Sequence, residues 1–202
     1  MKKFLLLVKI IATIGTGIFI TGCKNKKTDQ STTNTSIEHT DTSKTMKPTD
    51  NHYQDLRNLA LNITPAQLNL SLPADQTKVY GMVMDMDMGP GTVTFTSFES
   101  GDASMYTSTG GGIIGGLSHA DVVKAAKDFI IEAQNNLDKA TKTDSTPLPD
   151  KDCVRFYFLT NKGKFVVQEQ FKNIDKDMSP LMPLFNKGNK LITELRIIDQ
   201  NK

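Results

Sequence analysis

Acids, glycines, one histidine and two thiols carry whatever chemistry this sequence holds. Asp85 and Asp87 fall in Asp85-Met86-Asp87-Met88-Gly89, the spacing that opens a calcium loop, but the third acidic position and the closing glutamate are missing. Gly110, Gly112 and Gly115 satisfy G-x-G-x-x-G between a strand and a helix, the pattern by which backbone amides cradle a pyrophosphate. The strand before them belongs to an antiparallel meander, and the next strand starts about forty residues later with no acidic residue at its end, so the dinucleotide reading fails. No Gly-Lys-Ser/Thr follows, which removes a phosphate loop as well. What remains at Gly110, Gly111, Gly112, Gly115, Gly116 and Ser118 is a close-packed connection able to seat a protein partner or a small anion at the amino end of the following helix. His119 has no second histidine or nucleophile beside it, so neither a zinc site nor a triad is expected. Cys153 opens an apolar strand and reads as a buried thiol. No cofactor, metal or catalytic residue is therefore assigned. The alternative is a ligand-binding protein or hydrolase in which folding brings Asp85, Asp87 and His119 to the Gly110–Gly116 loop.

The elements that position these residues follow from apolar spacing. Leu56, Leu59, Ala60 and Ile63 predict a helix over Tyr53–Ile63, stopped at Thr64-Pro65. From Val79 to Met88 the chain alternates, with Tyr80, Met82, Met84, Met86 and Met88 on one face as core and Val79, Gly81, Val83, Asp85 and Asp87 on the other. The two acids then share a solvated face with Thr92 and Thr94. Gly89-Pro90-Gly91 turns into a strand over Thr92–Phe98, and Gly101-Asp102 into another over 103–108, a three-stranded meander. Ser118 caps a helix carrying Val122, Ala126, Phe129, Ile130, Ala133 and Leu137 as an apolar stripe. Thr141 to Asp152 reads as a loop, and 154–159 with 165–171 as a second hairpin about Asn161-Lys162-Gly163. Leu184, Leu191, Ile192, Leu195 and Ile198 predict a final helix weakened by Gly188, with a strand over 191–198 as the alternative. The expectation is an α+β domain over residues 53–202: one five-stranded, mostly antiparallel sheet, meander plus hairpin, with helices on one face.

Ahead of that domain, Met1-Lys2-Lys3 and Lys9 precede eleven uncharged residues, Ile10 to Ile20, the length of a signal-peptide core and too short to span a bilayer. Ile20-Thr21-Gly22-Cys23 resembles the lipobox of bacterial lipoprotein precursors: an aliphatic residue, two small residues that enter a peptidase site, then a thiol able to form a thioether to diacylglycerol. That resemblance implies cleavage between Gly22 and Cys23, a leader at 1–22 and a lipid anchor on Cys23, held firmly by two or more acyl chains. The location it implies is a cell or outer membrane, facing the periplasm or exterior. Residues 23–52, rich in Thr, Ser, Asn, Asp and Lys, read as a disordered tether with a reach of about 30 Å. Loss of Lys2, Lys3 and Lys9 leaves 21 basic against 22 acidic residues, which argues against a nucleic-acid partner.

Val79-Tyr80-Gly81 through Asp85 and Asp87, the 108–116 glycine segment, Arg155-Phe156-Tyr157-Phe158-Leu159-Thr160-Asn161-Lys162-Gly163 and Leu191-Ile192-Thr193-Glu194-Leu195 together resemble a family of small uncharacterised bacterial proteins. The element order loosely resembles roadblock, longin and profilin-like scaffolds. The scaffold resemblance implies a binding platform, and a tether joined to a domain with no assembled acid, base, nucleophile or metal set leads to the expectation of a membrane-anchored interaction domain with a protein partner, of an immunity or envelope-associated kind.

Overall fold

The computed structural model describes residues 52–200. The expected leader, the Gly22–Cys23 cleavage point with its lipid, and residues 23–51 of the tether lie outside the described residues. Helix α1 (His52–Asn62) is followed by β1 (Val79–Asp87), β2 (Thr92–Phe98), β3 (Ala103–Thr107) and β4 (Gly112–Ile114). Then come α2 (Ala120–Asn135), β5 (Thr141–Thr143), β6 (Cys153–Thr160), β7 (Gly163–Gln170), α3 (Phe171–Asp175) and α4 (Met182–Gln200).

The architecture is α+β, but the sheet has seven strands rather than five, in the order β4-β3-β2-β1-β6-β7-β5, with antiparallel neighbours throughout. The two unexpected strands are the three-residue edges. β4 lies inside the glycine run and β5 inside the stretch read as a loop; neither shows apolar alternation, and each is recruited by an open neighbouring edge.

Helices also cover both faces instead of one. Met82, Met84, Met86, Phe95, Phe156 and Phe158 pack against α2 and α4, while Val83, Phe98, Tyr157 and Leu159 pack with Ala60 and Leu61 of α1. The reason is in β1 and β2: sixteen residues, of which all but Asp87 are buried, so neither face can be left to water. Met82, Met84 and Met86 are core, as their spacing predicts, each with no exposed surface.

Two local readings are corrected. The register of β1 against β6 shifts between Val79 and Gly81, so Val79 joins the α2 side and Tyr80 the α1 side beside Val83, opposite to strict alternation. On α1, Leu59 is 65% exposed and the buried stripe is Tyr53, Arg57, Ala60 and Leu61. Gly188 does not break the last helix. A Cβ there would sit 2.8 Å from the Met84 methyl, so the residue's lack of a side chain lets α4 cross directly over the sheet.

Candidate functional site

An arginine on the buried stripe of a helix must meet a counter-charge, and Arg57 meets Asp85. Its Nε and Nη2 donate to Asp85 Oδ2 at 3.0 and 2.6 Å, with the two side chains 3% and 0% exposed. The other carboxylate oxygen accepts from Thr94 Oγ1 at 2.6 Å. Thr94 has a single proton, so the 2.9 Å contact with Tyr53 is donated by the Tyr53 hydroxyl. The guanidinium lies over the Tyr157 ring, 5.6 Å from its centroid. Asp85 therefore lies in the interior, not on the solvated face expected of it.

Residues 144–149 cross this face as a strap whose carbonyls are consumed in series. Thr143 Oγ1 donates to Ser145 O at 2.9 Å, Arg57 Nη1 to Thr146 O at 2.9 Å and Arg155 Nη1 to Leu148 O at 2.8 Å. Pro147 O accepts from Arg57 Nη2, Arg155 Nη1 and the Tyr157 hydroxyl. A single buried arginine thus ties α1, the centre of the sheet and the strap together.

Burial disfavours the Arg57 charge, yet the hydrogen bond and field of Asp85 outweigh it and raise the guanidinium further. All four tyrosines of the chain are raised by burial above the ordinary 10.0, and Tyr106 is pushed up to about 12. A phenol whose folded pKa is raised contributes stability that is complete below its unfolded pKa and lost as pH climbs through the folded one. For Tyr106 that window runs from the ordinary 10.0 to about 12. Absorbance titration of phenolate is expected to begin above pH 10 in the folded chain and near pH 10 in urea, with unfolding midpoints falling across the same interval; coincident titrations in both states would refute the burial.

The other sequence candidates are dispersed. Asp87 ends β1, where Oδ2 accepts from the Asp152 amide at 2.8 Å. His119 is exposed and is itself the residue preceding α2, its side chain making no capping bond. Ser118 falls instead in a 3-10 turn over Gly116–Ser118, so the expected Ser118 cap is displaced by one residue. Cys153 is buried and burial pushes its thiol up. Gly110 and Gly111 take φ of 102° and 87°, which bends the chain from β3 into β4, and Gly115, with φ of 87°, turns it out of β4. Gly116 is buried, and a Cβ on it would meet Val122 Cγ1 at 2.4 Å. The run is thus a hairpin with close packing at its exit. Beside it, a cavity of about 350 Å³ is lined by Tyr53, Leu56, Tyr106, Gly110, Gly111 and Ile114 among others. Neither this cavity nor the second described below includes Asp85, Asp87 or His119.

Among the described residues no group of His, Cys, Asp or Glu is arranged to hold a metal ion, and no helix is long and apolar enough to cross a membrane. The buried polar cluster that sequence reasoning missed is formed around Asp85 by Tyr53, Arg57, Thr94 and Tyr157. Their signal was a charge at the fourth position after Tyr53 on the helix face that also carries Ala60 and Leu61, opposite an acid within an otherwise apolar run of β1. No family model matches the chain, and neither a curated protein nor a solved structure matches it.

Proposed function

We propose that this chain is a lipid-anchored interaction module that binds a protein partner at its β4 edge. The observation that carries the reading is at the glycine hairpin. Ile114, on the strand that closes one side of the sheet among the described residues, is 64% exposed and lines the cavity shared with Tyr53 and Tyr106, and Leu117, in the turn just after it, is 55% exposed. Large apolar side chains beside an unpaired strand are what strand-addition partners use, with main-chain bonds for affinity and a pocket for selectivity. The strongest charge pair, by contrast, is enclosed and fully engaged, which suits a rigid support. The lipobox-like Cys23 and the polar residues after it support placement of this edge at a membrane surface, at the end of a tether. An immunity or envelope-associated role is the specific form of this reading.

The test is binding of a partner recovered by crosslinking in intact cells and then purified. Ile114→Asp is expected to weaken that complex by about thirtyfold, the scale of a truncated hot spot, while Ile131→Asp, on the exposed side of α2, leaves it unchanged. Equal affinities for the two variants would remove the β4 edge from the interface. Unchanged survival of a deletion strain challenged with co-encoded toxins would remove the immunity form.

A further inference from the structure

The second cavity, under the strap, has a volume of about 380 Å³, within the range of small-ligand sites. It lies over β7, which is flanked on both sides by strands and yet has no buried residue. Its lining includes Val166, Gln168, Thr141, Thr143 and Pro147. Arg155 and Lys139 bring positive charge to it.

The hydrogen-bonding balance of this cavity is one-sided. The carbonyls of residues 145–148 are all occupied by side-chain donors. The Gln168 amide is spent at both ends on Asp150, its Oε1 accepting from the Asp150 amide and its Nε2 donating to Oδ2. Donors remain. Lys139 Nζ has one bond, to Asn136 Oδ1 at 2.7 Å, and among the described residues it pairs with no carboxylate. Arg155, whose side chain is only 12% exposed, has its Nη2 no nearer than 3.7 Å to Asp150, a carboxylate that is 74% exposed. Among the described residues the one ion pair of this largely buried guanidinium is with a solvent-exposed acid, Asp85 opposite it in register being engaged by Arg57 and Thr94; with the Lys139 ammonium in the same lining, the cavity favours negative charge. The half-buried Val166 and the Pro147 ring favour an apolar body.

We propose that the strap cavity binds a small organic anion, a molecule carrying one carboxylate or phosphate and a compact apolar group. The anionic end is held by Lys139 and Arg155, and the apolar end lies on Val166 under Pro147. The site is separate from the β4 edge, so it stands or falls independently of the partner reading.

The experiment is amide chemical-shift titration of the full chain, labelled with nitrogen-15, against phenyl phosphate, phenylacetate, inorganic phosphate and neutral benzamide. Phenyl phosphate or phenylacetate is expected to shift the amides of Thr143, Ser145, Val166 and Gln168 saturably. Whichever of the two binds more tightly identifies the head group, and it is expected to bind at least fivefold more tightly than benzamide or inorganic phosphate. Lys139→Glu, at an exposed position, is expected to weaken that binding about tenfold while leaving the remaining spectrum in place, and Lys139→Arg to restore most of it. Benzamide binding as tightly as the anions, an unchanged affinity in Lys139→Glu, or no shifts at the strap with any probe would overturn the proposal.

Discussion

Arg57→Ala is expected to destabilise the fold by about 3–5 kcal/mol, because it leaves Asp85 charged in the interior with its main partner gone. Asp85 has no exposed surface, and of the three side-chain hydrogen bonds it accepts only that from Thr94 survives the change. The loss does not stop at the pair. Thr146 O loses the bond from Arg57 Nη1 and Pro147 O one of its three, so the strap loosens where it is tied to α1. Urea unfolding measures the loss. Asp85→Ala should cost a similar amount, and the Arg57→Ala/Asp85→Ala double variant clearly less than the sum, since neither charge then remains to be stranded. Additive losses would mean that the two side chains stabilise the fold separately, against the geometry described above.

Phe129→Ala is the second large loss, again about 3–5 kcal/mol, by removal of a ring from a packed interior. Phe129 has no exposed surface and lies in the cluster shared by α2, α4 and the methionine face of β1. Its Cζ lies within 3.5 Å of where a Cβ on Gly188 would be, so the missing ring opens a void at the closest approach of α4. Thermal unfolding should shift by roughly 10 °C, given about 2–4 °C per kcal/mol for a domain of this size. Ile131→Ala, two residues along the same helix and 61% exposed, should stay within about 0.5 kcal/mol. Similar losses for the two would contradict the assigned helix face.

What the sequence disclosed follows from where the physics is local. The stripe of α2 was legible because Val122, Ala126, Phe129, Ile130 and Ala133 repeat at helical spacing, and all are buried. The meander and hairpin were legible because alternation and turn residues coincide. The edge strands were not: three residues of Gly112–Ile114 or Thr141–Thr143 carry no period, and their pairing depends on the neighbour they join. The second helical layer was missed with them. Alternation in β1 reads as one wet face, whereas Asp85 and Thr94 are covered by Tyr53 and Arg57, residues about thirty to forty positions away whose proximity only folding creates. The candidate site was legible as a peculiarity of composition at the glycine run. That the run forms β4, and that Ile114 is exposed on it, depended on the edge of β3 that it joins.

The β4 edge as the partner-binding surface is tested most directly by placing a photo-activated crosslinking residue at position 114 or at position 59 in intact cells. Leu59, 65% exposed on α1, matches Ile114 in exposure but does not line the cavity beside the hairpin. A discrete adduct is expected from 114, absent from 59, containing one protein whose affinity for the purified chain falls about thirtyfold with Ile114→Asp. Equal adducts from both positions, or a captured protein that binds Ile114→Asp as tightly as the unaltered chain, would contradict it.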